Sequence, residues 1–231
     1  MKDIGMNYTH MPFHESDGFS RIKMFTKCCI GAIQDPTRAD LVAAAGDLSG
    51  TRALKEIRSK MRNDPEGSQV LEEKPRIKIE ELNFKELENL PKNTLGYNYW
   101  KFMSGYDFSP DERPLVKYVP DMELAYILQR YRELHDLLHV LLNVTIAVDD
   151  ELAVKWFEMV QTGIPMTAYA SFFGPLRLPL PAIQTLMMKR LPLVTHNALH
   201  SKFYMNIYFE KHFERDINEL KKEIGIVPNN A

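Results

Sequence analysis

The chain has 231 residues, 45% of them hydrophobic and 26% charged, with a formal net charge of −2. That composition suits one soluble globular domain, or at most two small ones, with enough apolar side chains for a real core. Near-neutral charge gives no bulk attraction to nucleic acid, and no apolar run reaches the ~18–20 residues of a membrane-crossing helix, so any membrane contact is expected to be peripheral.

Residues 1–16 lack periodicity and read as an irregular lead; residues 17–231 read as one all-helical domain. His14, Glu15 and Asp17 give the first 30 residues little of the Arg-rich, acid-poor character of a transit peptide. Ile22, Phe25, Cys29 and Ile33 have helical spacing from Ser20 onwards, until Asp35-Pro36 breaks the pattern. The cysteines, Cys28 and Cys29, are adjacent, which argues against a structural disulfide and for a reducing compartment. Thr37 can cap a second helix running towards Gly46, and a third runs from Arg52 to Met61. Its Arg52, Lys55, Arg58 and Arg62 share one arc, which suits a solvated face or contact with anionic lipid headgroups. Glu66 to Glu73 suggests a short helix, and Arg76 to Glu80 alternates like a brief extended segment. Asn83 and Thr94 are read as caps of two further helices. Residues 104–120, rich in Pro, Gly and Asp, read as a long loop of the kind that often carries function.

Asp121 caps the central helix, whose Leu124, Ile127, Leu128, Tyr131, Leu134, Leu138, Leu141 and Leu142 form a broad apolar stripe. The short connection from Asn143 to Val148 predicts an antiparallel neighbour, capped by Asp149 or Asp150 and ending at Gly163. Residues 165–173 should be helical, and 176–194 form an apolar, proline-punctuated helix. Leu199, Phe203, Ile207, Tyr208, Phe213, Ile217, Leu220 and Ile224 predict a long amphipathic helical region at the C-terminus. The expected architecture is an all-α, single-domain helical bundle with a central antiparallel helix pair carrying a metal site.

That site rests on Glu133-Leu134-His135-Asp136-Leu137-Leu138-His139, with eleven residues separating His139 from Glu151. At ~100° per residue, His139 lies ~40° and Asp136 ~100° around the helix from His135, so all three can face one point. A helix folded back antiparallel brings Glu151 to the same point. Two imidazoles and two carboxylates suit a divalent metal, and a buried carboxylate without a partner is costly. A hydrogen-bonded core network, or chance surface placement, accounts for the same residue types. The pattern departs from the H-E-x-x-H of zinc peptidases, because Asp136 is a methylene shorter than the Glu that acts on metal-bound water. A His-Asp phosphohydrolase needs another upstream histidine, and only the distant His10 and His14 are available. Lys155 and Glu158 fall on the Glu151 side of the second helix, either orienting ligands and moving a proton or forming an ordinary salt-bridged face. His196 and His200 repeat the spacing without a carboxylate nearby, and no nucleophile elbow or phosphate loop occurs.

Tyr126 to Glu133 followed by H-D-x-x-H, eleven residues and Glu resembles the Coq-four family of ubiquinone (coenzyme Q) biosynthesis proteins. Val154-Lys155-Trp156-Phe157-Glu158, Gln161 to Met166, Phe172 to Arg177, Met61 to Gly67 and Glu72 to Ile77 continue the likeness over most of the chain. The resemblance implies an all-helical protein held peripherally on the matrix face of the mitochondrial inner membrane, within a complex of coenzyme Q biosynthesis proteins. It implies a divalent metal, usually zinc, on His135, Asp136, His139 and Glu151, with Mn2+, Co2+ or Fe2+ also compatible with such ligands. The implied activity is C1-decarboxylation of 4-hydroxy-3-methoxy-5-polyprenylbenzoate, oxidative if the metal is redox-active; a lipid-binding scaffold with a structural metal is the alternative. Homo-oligomer formation is left open. Phe172, Phe173, Leu176, Met187 and Met188 are candidates for holding a polyprenyl tail. An open coordination position facing an apolar groove would favour catalysis, and a closed four-ligand site would favour structure.

Overall fold

The computed structural model describes residues 50–227 continuously, preceded by residues 23–28, 30, 31, 44 and 46–48. The irregular lead and the cap at Thr37 lie outside the described residues; residues 23–28, 30 and 31 are helical. The fold is all-helical, and its one β-bridge among the described residues is an isolated pairing of Thr94 with Asp216. The longer helices are α1 (Thr51–Arg62), α2 (Pro65–Glu73), α3 (Leu95–Gly105), α4 (Met122–Leu142), α5 (Val148–Thr162), α6 (Pro165–Phe173), α7 (Leu180–Thr185), α8 (Leu191–His200) and α9 (Ile217–Ile224).

Local chemistry sets several boundaries. Asp121 caps α4 by accepting from the backbone N–H of Glu123 and Leu124, and Thr94 caps α3 by accepting from Tyr97. Asn143 ends α4 in the left-handed conformation that Asn tolerates. The start of α5 departs from the expected cap. Ala147 stands there, and Asp150 reaches back from the first turn to the backbone and hydroxyl of Thr145. Asn83 closes a one-turn helix, Ile79–Leu82, instead of opening one. The expected extended segment at 76–80 forms no strand, because carboxylates take its backbone donors: Glu81 accepts from Arg76 and Glu133 from Ile77.

The expected long C-terminal helical region is also broken. After α8 come two 3-10 turns, Tyr204–Asn206 and Phe209–Lys211, before α9. Its polar backbone groups are claimed from elsewhere in the fold: Lys202 N–H donates to Ile224, Gly96 N–H to the Phe213 carbonyl, and Arg130 to the Ile207 carbonyl. Apolar spacing alone cannot register such competition.

All of α4 except Met122, Glu123 and Arg132 is buried. Two of the four residues in the basic arc of α1 seat this helix: Arg58 pairs with Asp121 and Arg62 with Glu123, both at the start of α4. Deeper along α4, the fully buried Arg130 binds Glu210 and the Ile207 carbonyl. Breaking that pair strands a carboxylate in low dielectric. Arg130→Met should therefore destabilise the protein by about 3–5 kcal/mol, read from urea unfolding at pH 7.

Candidate metal centre

Partners along α4 and α5 run in opposite order: His139 meets Glu151, His135 meets both Glu151 and Glu158, and Tyr131 meets Glu158. The two helices are thus antiparallel, and the five-residue link brings three donor groups together. His135 Nε2 and His139 Nε2 are 3.3 Å apart. Glu151 Oε2 is 3.4 Å from the first and Oε1 is 3.3 Å from the second. Both imidazoles are buried, whereas the Glu151 side chain is 38% exposed, so the cluster opens to solvent on one side.

Hydrogen bonds behind the rings determine what they present. The Thr145 carbonyl, 3.0 Å from His139 Nδ1, can only accept, so Nδ1 carries a hydrogen and Nε2 is turned to the cluster. Glu158 Oε1 lies 2.8 Å from His135 Nδ1 and accepts a hydrogen from it. Two imidazole Nε2 atoms and a carboxylate therefore face one another, donor atoms of the kinds that hold a divalent cation. His135, His139 and Glu151 each offer a donor atom within 4.8 Å of the others.

Electrostatics follow the same logic. Burial pushes the Glu151 carboxyl up, but the two histidines outweigh it and hold it well below the ordinary carboxylate range. Glu158 is fully buried; burial again works upwards, yet Lys155 and His135 bring its pKa down to about 2. Lys155 Nζ donates to Glu158 at 2.9 Å and sits 3.2 Å from His135 Nδ1, with Tyr131 donating its hydroxyl to Glu158 at 2.8 Å.

Asp136 is placed differently. Arg113, from the long loop, engages both of its carboxylate oxygens, one through Nε at 3.0 Å and the other through Nη2. His196 and His200 stack on each other at 4.4 Å, exposed and outside the cluster. Tyr131, Thr145 and Phe102 adjoin the cluster and Arg113 binds Asp136, although the H-D-x-x-H motif singles out none of them. Tyr131 stands four residues before His135 and was within reach of helical spacing. Phe102, which stacks on His139 with ring centroids 5.2 Å apart, and Arg113 arrive from distant segments without any periodic signal. A cleft of about 450 Å³ opens beside His139, lined in part by Asn98, Lys101, Phe102, Tyr106 and Thr145.

A family model described as coenzyme Q (ubiquinone) biosynthesis protein Coq4 matches residues 9–230. The human mitochondrial ubiquinone biosynthesis protein COQ4 homolog is 43% identical over 195 residues, covering 84% of this chain and 74% of its own. A mitochondrial COQ4 homolog 2 of Paramecium tetraurelia is 44% identical over 182 residues, covering 79% and 87%. Among solved structures, a Nostoc punctiforme protein assigned to ubiquinone biosynthesis superimposes with a TM-score of 0.67. It covers 93% of this chain and 99% of its own at 19% identity, so its likeness speaks for the fold.

In protein stripped of metal, burial and Lys155 push the His135 pKa down, while Glu158 and Glu151 more than reverse this and raise it above the ordinary 6.5. A raised folded-state value means that this contribution to stability is complete below about pH 6.5 and disappears as pH rises through the folded value. Glu158→Gln removes one of the carboxylates that favour the imidazolium. It should lower the His135 titration midpoint seen by NMR and weaken that pH dependence of the urea midpoint.

Proposed function

Since this chain belongs to the Coq4 family of coenzyme Q (ubiquinone) biosynthesis proteins, we propose that it is a metal-dependent C1-decarboxylase of 4-hydroxy-3-methoxy-5-polyprenylbenzoate. The carrying observation is the set of two imidazole Nε2 atoms and one carboxylate, converging beside a cleft that His139 lines. His135, His139 and Glu151 would hold a divalent cation, zinc first, with Mn2+, Co2+ or Fe2+ suited to the same donors. Asp136, the fourth residue of the expected set, is bound to Arg113 instead. A bound cation supplies Lewis acidity towards the substrate's carboxylate or phenolate.

The chain's own residues account for the remaining requirements. The cleft is of a size that takes a substituted ring, with Phe102 as an aromatic wall and Lys101 as a cation at its edge. When the ring–carboxyl bond breaks, carbon dioxide leaves and the electron pair stays on the ring carbon, which then takes a proton. Lys155 is the ammonium donor next to the cluster, and Glu158 keeps it oriented. With its side chain 27% exposed, Lys155 can recover its proton from water.

The proposed setting is the matrix side of the mitochondrial inner membrane, peripherally attached, with other coenzyme Q biosynthesis proteins as partners. Relatives are named mitochondrial, and among the described residues no helix is long and apolar enough to cross a membrane. Phe172, Phe173, Leu176, Met187 and Met188, the candidate tail-binding residues, are all exposed, Leu176 and Met188 each at 78%. Exposed apolar side chains of this kind favour contact with a polyprenyl tail or a bilayer surface. They also favour the second reading, a lipid-binding scaffold whose metal braces α4 against α5.

Two experiments test these readings. Metal-loaded protein given a short-tailed substrate analogue should release carbon dioxide, and Lys155→Met should slow the reaction by about 10²–10⁴-fold. Glu151→Ala should abolish it while circular dichroism stays native; a folded wild type inert with every metal would leave only the scaffold. Replacing Leu176 and Met188 together by Glu should weaken binding to vesicles containing anionic lipid by at least about tenfold, given ~0.8 kcal/mol per CH2 withdrawn from the membrane. Unchanged vesicle binding would remove these side chains from the membrane contact.

A further inference from the structure

Asp136 is the residue whose placement departs most from the sequence pattern. It stands next to His135 in the chain, yet its short side chain leaves α4 on the side facing the loop between α3 and α4. There the Arg113 guanidinium takes both oxygens as a fork. The Asp136 side chain is only 4% exposed, so releasing it from Arg113 would strand a buried carboxylate.

Arg113 is not free to drift. The loop that carries it is tied down on both sides. Before it, Pro110 is buried and Asp111 accepts from the Ile79 backbone. After it, the Pro114 carbonyl accepts from Arg132, and Val116 N–H donates to Gln129. Lys117 and Tyr118 N–H then both donate to the buried Asp47. These ties hold the guanidinium over Asp136.

We infer that Arg113 acts as a positioning residue that keeps Asp136 off the metal, so that the ion has three protein ligands, His135, His139 and Glu151, and a fourth position left for substrate. This inference deepens the decarboxylase reading and rests on it. Charge supports the assignment. With Asp136 neutralised by Arg113, a divalent ion on two neutral imidazoles and one carboxylate keeps a net positive charge, which draws a substrate carboxylate or phenolate. A second carboxylate on the ion would cancel that charge and close the site.

Co2+ titration of the metal-stripped full chain, followed by visible absorption, separates the possibilities. Asp136→Asn, whose amide oxygen can still accept from Arg113, should match wild type in both Co2+ affinity and spectrum. Glu151→Gln should weaken binding by about tenfold or more. Arg113→Met should free Asp136 to turn onto the ion, tightening Co2+ and altering the spectrum, and adding Asp136→Asn should reverse both changes. The inference is overturned if Asp136→Asn weakens Co2+ as much as Glu151→Gln and shifts the wild-type spectrum, which would make Asp136 a ligand. Wild-type protein that binds no Co2+ would sink the metal reading itself, a result distinct from the first. Arg113→Met leaves a buried carboxylate exposed to misfolding, so the wild-type and Asp136→Asn pair alone is sufficient to decide.

Discussion

Charge buried on one helix is the constraint that organises this molecule. A helix surrounded by core normally carries apolar side chains on every face. Here α4 takes Arg130, Glu133, His135 and Asp136 into the interior, and each must find a partner or cost several kcal/mol. The partners come from four different parts of the chain: Glu210 from the C-terminal turns, Arg76 from the segment after α2, Glu158 from α5 and Arg113 from the long loop. Each pairing thereby pins a separate segment to α4. The same requirement that excludes unpaired charge from a core specifies which irregular segments pack where.

The candidate site is one outcome of that arrangement. His135 is oriented by Glu158, which is itself satisfied by Lys155 and Tyr131, while His139 is oriented by the Thr145 carbonyl in the turn that Asp150 secures. The Nδ1 side of each ring is thus engaged away from the cluster, and the two Nε2 atoms and the Glu151 carboxylate face one another. Glu151 is the most exposed of the three side chains, and a cleft opens beside His139.

How much of this could be read in advance depended on sequence distance. The all-helical fold, the caps at Asp121 and Thr94, and the meeting of His135, His139 and Glu151 all follow from local rules: periodicity, capping chemistry and a short link between helices. Asp136 showed the limit of those rules. Helical angle allowed it to join the histidines, but a guanidinium 23 residues upstream decides where its carboxylate goes. The C-terminal region failed for a related reason, since its apolar spacing is helical while its backbone groups are bound by Gly96, Arg130 and Ile224. Long-range hydrogen bonding leaves no periodic trace.

The shortness of the connection between α4 and α5 also bears on the order in which the molecule assembles. His135 and Glu151 are joined by a small loop that costs little entropy to close, whereas Arg130 must find Glu210 across 80 residues. Contacts of low sequence separation form fast, and distant ones wait for the rest of the chain. The cluster of two imidazoles and a carboxylate is therefore encoded in a hairpin that can emerge and close during synthesis before the C-terminal turns exist. An ion captured at that stage would template the helix pair on which the later segments dock.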